Sequence, residues 1–168
     1  MQTAISLPDA ELDDHERCFL EQLGKHGWFG TSVFDAAGAL PNFSYSTGFW
    51  FGHQTPELIL FGLKKEVAHD ILWDAFRDAK QGRAYSVGVR TSGLFGNADA
   101  YLFRLAKRHY AEHLGWSCWF YRGDEFPCLN LVWPDRSGLF PWETGFADGK
   151  ESVQPDLTEK GWLAELQV

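Results

Sequence analysis

Apolar residues recur along this chain with two different periods, one typical of helices and one typical of strands. Near the start, four apolar residues share one face at helical spacing: Leu12, Phe19, Leu20 and Leu23. This spacing predicts a first helix over residues 10–25, with Asp9 as its N-cap and a stop at Gly27.

The most regular helical pattern lies in the middle of the chain. Four residues follow one another at four-residue steps: Val67, Ile71, Ala75 and Ala79. We therefore expect a helix over residues 64–81, ended by Gly82 because glycine readily adopts the left-handed conformation of a C-cap. A third helix is predicted over residues 107–121, although Gly115 interrupts the pattern.

Alternating and continuous apolar runs predict the strands. Residues 28–34 and 42–51 alternate, with a turn composition at 35–38 between them. The continuous run at 56–62 is typical of a central strand that is buried on both faces. Further strands are expected at residues 85–90, 100–105 and 126–133, the first two on either side of a glycine-rich turn.

The order of these elements defines the fold class. Long helices that interrupt the strands without strict alternation predict an α+β fold, a mixed or mainly antiparallel sheet packed against about three helices. The chain has 168 residues, of which 45% are hydrophobic and 23% charged, which excludes wholesale disorder. We interpret residues 1–168 as a single domain that ends in an irregular acidic tail at 143–168.

Net charge narrows the choice of partner. The formal charge is -8, which argues against a nucleic-acid binder and favours a basic protein partner. One local basic concentration stands out, and we interpret it as a solvated helix entrance: Arg104, Lys107, Arg108 and His109.

Cysteine usage and the chain start predict the compartment. Three cysteines, none in a CxxC pair, indicate reduced thiols. Residues 1–8 lack the basic start and apolar core of a signal peptide, and the longest apolar clusters are too short to span a bilayer. We therefore expect a cytosolic protein without a membrane partner.

The most unusual stretch of the sequence follows the last predicted strand. Trp133 and Trp142 bracket a short loop that holds Asp135 and Arg136, with Glu143 directly after it. Tryptophan and arginine are enriched at binding hot spots, which favours a recognition loop. The alternative is that both rings fold back onto the core while Asp135 caps the turn.

This stretch also carries a family resemblance. The run LVWPDRSGLFPW at 131–142, followed by Gln154 and Pro155, resembles the closing signature of the bacterial domain-of-unknown-function family 4262. Upstream segments similar to that family occur in the same order: YSTG at 45–48, His53 with PEL at 56–58, FGL at 61–63 and FP at 126–127. The similar region spans residues 27–155, and the resemblance implies a small bacterial cytosolic domain without a catalytic assignment.

One departure from the family pattern affects a candidate catalytic pair. Gln54 and Thr55 separate His53 from Pro56, where the family has histidine directly before proline. His53 and Glu57 could perform acid–base chemistry or bind a metal if their side chains met. The alternative is structural, with His53 bonded to a turn carbonyl and Glu57 capping backbone amides.

A second candidate is a possible metal motif. His109, Glu112 and His113 match the H-x-x-E-H pattern of inverted zinc peptidases, and both histidines would share one face of a helix. The third ligand would have to come from Glu125, Glu143 or Glu151, none of which lies in a predicted helix. We therefore predict no cofactor and keep these residues as weak metal candidates.

Other reactions have less support in the sequence. There is no G-x-S-x-G elbow for a serine nucleophile, and the glycines near residue 93 are not followed by the Lys-Ser/Thr pair of a phosphate loop.

Taken together, these features favour a binding function. We predict a small protein-binding domain, such as an inhibitor or immunity-type protein that neutralises a basic toxin, with a small metal-dependent or His/Glu hydrolase as the alternative. It is expected to bind no nucleic acid and to be a monomer or a homodimer. The binding candidates are Tyr45, Trp133, Asp135, Arg136, Trp142 and Glu143, with Asp148, Glu151, Asp156 and Glu159 of the acidic tail.

Overall fold

A computed structural model describes residues 2–38, 40–96, 98–147 and 153–167. Its strands are β1 (Phe29–Val33), β2 (Phe43–Thr47), β3 (Glu57–Phe61), β4 (Thr91–Phe95), β5 (Ala98–Arg104) and β6 (Cys128–Val132). Its helices are α1 (Asp14–His26), α2 (Phe49–His53), α3 (Lys65–Lys80), α4 (Tyr110–His113), α5 (Gly115–Tyr121) and α6 (Trp162–Glu165).

The six strands form one mixed sheet in the order β1-β2-β3-β6-β5-β4. The β3–β6 pair is parallel, with Glu57 opposite Cys128, and the other four pairs are antiparallel. The predicted α+β class with a mixed sheet in a single domain is confirmed.

Helices cover both faces of the sheet because successive side chains of a strand point to opposite faces. In β3, Ile59 and Phe61 pack with α1 and α5, whereas Leu58 and Leu60 pack against α3. All five residues of β3 are buried, as predicted for the continuous apolar run.

The first helix begins later than predicted. Asp13, and not Asp9, is its N-cap: the Asp13 carboxylate accepts from the Glu16 amide at 2.8 Å, and the Glu16 carboxylate accepts from the Asp13 amide at 2.8 Å. This reciprocal capping box fixes the start at Asp14. Asp9 instead begins a separate 3₁₀ turn, Asp9–Glu11.

The predicted strand at 42–51 is too long. It ends at Thr47 because Gly48 turns the chain with a φ of +116°. A Cβ at Gly48 would lie 3.0 Å from the Gly27 carbonyl oxygen and from the Trp28 Cα, so this close approach requires glycine. The chain then enters α2, a short helix that the alternating pattern did not predict.

The predicted strand at 85–90 is wrong, since this segment is irregular. Gly88 donates its amide to the Leu102 carbonyl of β5 and accepts from the Gln167 amide of the tail, so its backbone serves two different neighbours. The strand β4 instead starts at Thr91 and covers most of the glycine-rich turn predicted at 92–97.

The predicted helix at 107–121 is divided into three pieces. A 3₁₀ turn, Lys107–His109, leads into α4, and Leu114 (φ -118°, ψ 41°) separates α4 from α5. Gly115 lies at this break. Because glycine has a low helix propensity, it favours an interruption of the helix at this position. Beyond the last strand, the described part of the irregular tail contains only the short helix α6.

Among the described residues, no helix combines the length and the apolar composition needed to cross a membrane.

Candidate functional site

The structure does not pair His53 with Glu57. Glu57 is 0% exposed, and its carboxylate accepts hydrogen bonds from the Gly48 amide at 2.8 Å, from the Trp50 amide at 3.1 Å, and from two hydroxyl groups. Those hydroxyl groups belong to Ser46 and Tyr121. Glu57 therefore caps the start of α2, in line with the structural alternative.

Tyr121 extends this cap. Its hydroxyl donates to Glu57 and accepts from the amides of Gly48 at 3.3 Å and Phe51 at 3.2 Å. Burial raises the pKa of the Glu57 carboxyl, although the hydrogen bonds that it accepts favour its charged form. Burial and the neighbouring carboxylate likewise raise the pKa of Tyr121 well above its usual range. The network holds α2 and α5 to β3, and substrate has no access to the carboxylate.

His53 lies at the other end of α2. Its ring packs against Phe76 of α3 with 5.4 Å between ring centroids. The described partners of the Glu57 carboxylate do not include His53, so the two side chains form no acid–base pair here.

The two histidines of the H-x-x-E-H motif lie on either side of a change in helix type, with their ring centroids 6.2 Å apart. His109 ends the 3₁₀ turn, whereas His113 lies in α4 with its ring 5.3 Å from Phe43 and 5.4 Å from Phe61. The His113 Nδ1 lies 3.2 Å from the His109 carbonyl oxygen. Across the described ranges, no three His, Cys, Asp or Glu side chains are placed to hold a metal ion together.

The tryptophans of the predicted recognition loop have structural contacts. The Trp133 indole donates to the Phe61 carbonyl at 2.9 Å. Trp142 stacks on Phe140 at 5.2 Å between ring centroids and lies 5.4 Å from Trp162 of α6. Both rings therefore hold the tail against the sheet.

The polar residues of the same loop divide into two groups. Asp135 is buried and accepts from the amides of Ser137, Leu139 and Ala147 at 2.7–3.0 Å. The exposed Glu143 bonds the Phe140 amide, which closes a turn. Arg136 is exposed, and of the predicted contact residues in this loop it is the best placed to meet a partner.

The described acidic residues of the tail also have local partners. Asp156 accepts from the amides of Thr158 and Trp162, and Glu159 pairs with Arg108 at 2.5 Å. Asp148 and Glu151 lie outside the described residues, so their predicted contact role stays a prediction.

A groove of about 800 Å³ gathers several of the remaining candidates. We call it the β1 groove, and it lies between β1, β2, the start of α1 and the α4–α5 segment. Tyr45 lies at its floor, buried, and its hydroxyl accepts from the Trp116 amide at 3.1 Å. Burial raises the pKa of Tyr45. Its other aromatic residues are Phe34, Phe43, Trp116 and Trp119.

Carboxylates line the β1 groove beside these rings. Asp13 and Glu16 come from the capping box of α1, and Glu112 comes from α4 with its side chain 71% exposed. The groove also contains His15 and His113. At neutral pH three carboxylates give it an acidic character, and the half-buried rings give it an apolar floor.

The open edge of the sheet borders the groove. Within the described part of the chain, β1 pairs with β2 alone. Val33 and Phe34 are 37% and 58% exposed there. The sequence of β1, FGTSV, lacks the charged residues and proline that commonly protect strand edges. The opposite edge strand β4 is different, because its register against β5 shifts between Thr91 and Phe95.

Most of this groove could not be recognised from the sequence. Tyr45, Glu112 and His113 were singled out for other reasons, and the rest were interpreted as parts of helices and strands. The one available signal was the run from Gly115 to Tyr121, which places Trp116 and Trp119 on one face of a short helix.

Fold and groove together define a small α+β domain with an acidic, aromatic groove beside an open sheet edge. A family described as "Domain of unknown function (DUF4262)" matches residues 22–147, and the chain belongs to this family. The match confirms the family suggested by the motifs. No curated protein and no solved structure matches the chain.

Proposed function

We propose that this protein is a protein-binding domain that receives an extended, basic segment of its partner along the β1 groove. The observation that carries this proposal is the meeting of an open strand edge, half-buried aromatic rings and three carboxylates in one groove. An extended segment can add to such an edge through main-chain hydrogen bonds, while alternate side chains enter the groove.

Charge selects the partner's chemistry. Asp13, Glu16 and Glu112 would repel an acidic segment and attract lysine or arginine, and the net charge of -8 would speed the encounter with a basic protein. Trp116 and Trp119 supply rigid rings on which apolar or cationic side chains can pack.

An inhibitor or immunity-type role against a basic toxin is the finer form of this proposal. Such a role requires an acidic face and aromatic anchors, and it requires no catalytic group. We further propose a cytosolic location, supported by the free thiols of Cys18, Cys118 and Cys128.

The test uses a synthetic peptide in which Lys alternates with Val, titrated into isotope-labelled protein and followed by NMR. We expect saturable shifts of the β1 amides and of the Trp116 and Trp119 side chains, and none with a peptide in which Glu replaces Lys. Glu112→Lys should weaken binding about five- to tenfold, because it reverses one exposed charge at the groove.

Glu66→Lys is the matched control, since it changes the net charge equally but lies on α3 at the opposite face of the sheet. Equal weakening by both variants would indicate non-specific attraction and would contradict the proposal. A protein that dimerises through β1, and whose dimer excludes the peptide, would assign the edge to a second copy instead.

A further inference from the structure

A second concave site lies beside the start of β3. It is a cavity of about 660 Å³ between the α2–β3 connection, the segment after α3, the end of β5 and the start of β6. Its apolar wall is formed by Val87, Leu105, Ala106, Pro127 and Leu129. This volume is typical of sites that enclose a small organic molecule.

Three cationic side chains line this cavity: Arg83, Arg104 and Lys107. They come from the α3–β4 connection, the last residue of β5 and the turn that follows it. Glu159 is the one carboxylate among the described lining residues, and it is engaged by Arg108. The cavity is thus locally positive in a chain whose net charge is -8.

The cations keep capacity for a ligand. No described carboxylate lies within ion-pair distance of Arg104. The Lys107 ammonium has three donors, and the structure shows it bonded to two carbonyl oxygens, those of Asp124 and Phe126. Arg83 pairs with Asp78 at 3.2 Å through its Nη1 atom, and a guanidinium offers five donors.

Neutral aromatic groups complete the lining. The Tyr85 hydroxyl donates to Asp78 at 2.9 Å, and the Tyr110 hydroxyl donates to the Phe126 carbonyl at 3.0 Å. Neither hydroxyl adds a negative charge at neutral pH, since tyrosine ordinarily ionises only at about pH 10, and burial raises the pKa of both groups further. His53, which the sequence suggested as a catalytic residue, also lies in this lining.

We infer that this cavity binds a small amphiphilic anion, with its carboxylate or phosphate head at Arg104, Lys107 and Arg83 and its apolar body against Leu105, Val87 and Pro127. The inference goes beyond the proposed protein-binding function and does not depend on it, since the two sites share no lining residue. Arginine and lysine bind carboxylate and phosphate groups alike, so the head group is left for experiment to assign.

The test titrates the full chain separately with naphthyl phosphate, naphthoate, neutral naphthamide and inorganic phosphate, followed by NMR. We expect saturable shifts at Leu105, Tyr110 and Leu129 with at least one of the two naphthyl anions, and at least tenfold weaker binding of naphthamide and of inorganic phosphate. The tighter of the two anions identifies the head group.

Arg104→Gln should weaken binding of that anion about tenfold. Arg136→Gln is the matched control, because Arg136 is also exposed and lies outside the cavity lining. The inference is overturned if neither naphthyl anion binds, if naphthamide or inorganic phosphate binds as tightly as they do, or if Arg104→Gln has no larger effect than the control.

Discussion

The β1 groove and the cavity lie on different parts of the sheet and have opposite charge. Carboxylates from α1 and α4 line the groove, whereas arginine and lysine side chains from three loop-proximal positions line the cavity. The net charge of -8 does not by itself give the local charge of either surface. A protein's local field follows from where the fold collects its charges, so one acidic chain can present sites for a basic and for an anionic ligand.

The two surfaces also share a support. Glu57 and Tyr121 tie α2, whose last residue lines the cavity, to α5, whose tryptophans line the groove. If the two surfaces bind different ligands but depend on the same network, loss of the network should weaken binding at both surfaces. A charge change at one surface should then weaken binding at that surface alone.

The largest effect is expected at Glu57. Glu57→Ala removes the acceptor of four buried donors, and we expect the free energy of unfolding to fall by roughly 3–5 kcal/mol. Glu57→Gln keeps one acceptor oxygen and the side-chain volume, so its loss should be smaller. Chemical denaturation measures both, and a loss below about 1 kcal/mol for Glu57→Ala would show that the network is not a structural support.

The next effect separates structural from contact roles in the loop after β6. Trp142→Ala should lower the free energy of unfolding by roughly 2–4 kcal/mol, because the ring packs on Phe140 and Trp162. Arg136→Ala should change it by less than about 0.5 kcal/mol, since this side chain is exposed. Thermal or urea unfolding tests the pair. If Arg136→Ala weakened binding of the basic peptide, a contact surface in this loop would replace the β1 groove.

Stability should also depend on pH through Glu57. Its carboxyl pKa is raised in the folded state, so the folded protein binds more protons than the unfolded chain between the two pKa values. The contribution of Glu57 to the free energy of unfolding is therefore fully present below the pKa that its carboxyl has in the unfolded chain. It is lost as pH rises through the pKa of the folded state, with a slope of at most about 1.4 kcal/mol per pH unit. Urea titrations across this range should show the slope in the natural chain, and Glu57→Gln should lack it.

Changing one charge at each surface should distinguish the two surfaces. Each change is expected to weaken binding of the ligand of that surface by about tenfold, or roughly 1.4 kcal/mol. Glu112→Lys should weaken the basic peptide and leave naphthyl anion binding unchanged, whereas Arg104→Gln should do the reverse. Calorimetric titration of both ligands against both variants gives the four values. Coupled losses in every combination would mean that the surfaces form one cooperative unit.

The smallest effect is expected at Asp13, which has two roles. Asp13→Ala removes the N-cap of α1 and should cost about 1 kcal/mol of stability, whereas Asp13→Asn keeps a capping oxygen and should cost less. Both variants remove one groove carboxylate and should weaken the basic peptide two- to threefold. Unfolding and titration of the same two samples separate the cap from the charge.

Several elements were predictable because their causes are local. The four-residue apolar steps from Ile71 to Ala79 place one face of α3 against the sheet, although Val67, which begins the series, is 43% exposed. The continuous run of β3 has no polar face to leave in water. The start of α1 is also local in principle, since Asp13 and Glu16 form a recognisable capping box, whereas the prediction places the N-cap at Asp9.

The errors fall where distant residues decide the backbone. Phe49–His53 has an apolar, aromatic composition that suits a strand, yet it forms a helix because Glu57 and Tyr121 bond its first amides. Gly88 does not form part of a strand, because the Gln167 amide of the tail donates to its carbonyl. Tertiary hydrogen bonds overrode local propensity at both places.

The amino-acid sequence by itself therefore determined the α+β class, the buried central strand, the main helix and the family, because these depend on periodicity and motif order along the chain. Only the tertiary structure decided that Glu57 is a cap apart from His53, that Trp133 and Trp142 anchor the tail, and that an acidic groove and a cationic cavity form on different parts of the sheet. Those features join residues that are far apart in sequence, and their chemistry exists only once the sheet has brought them together.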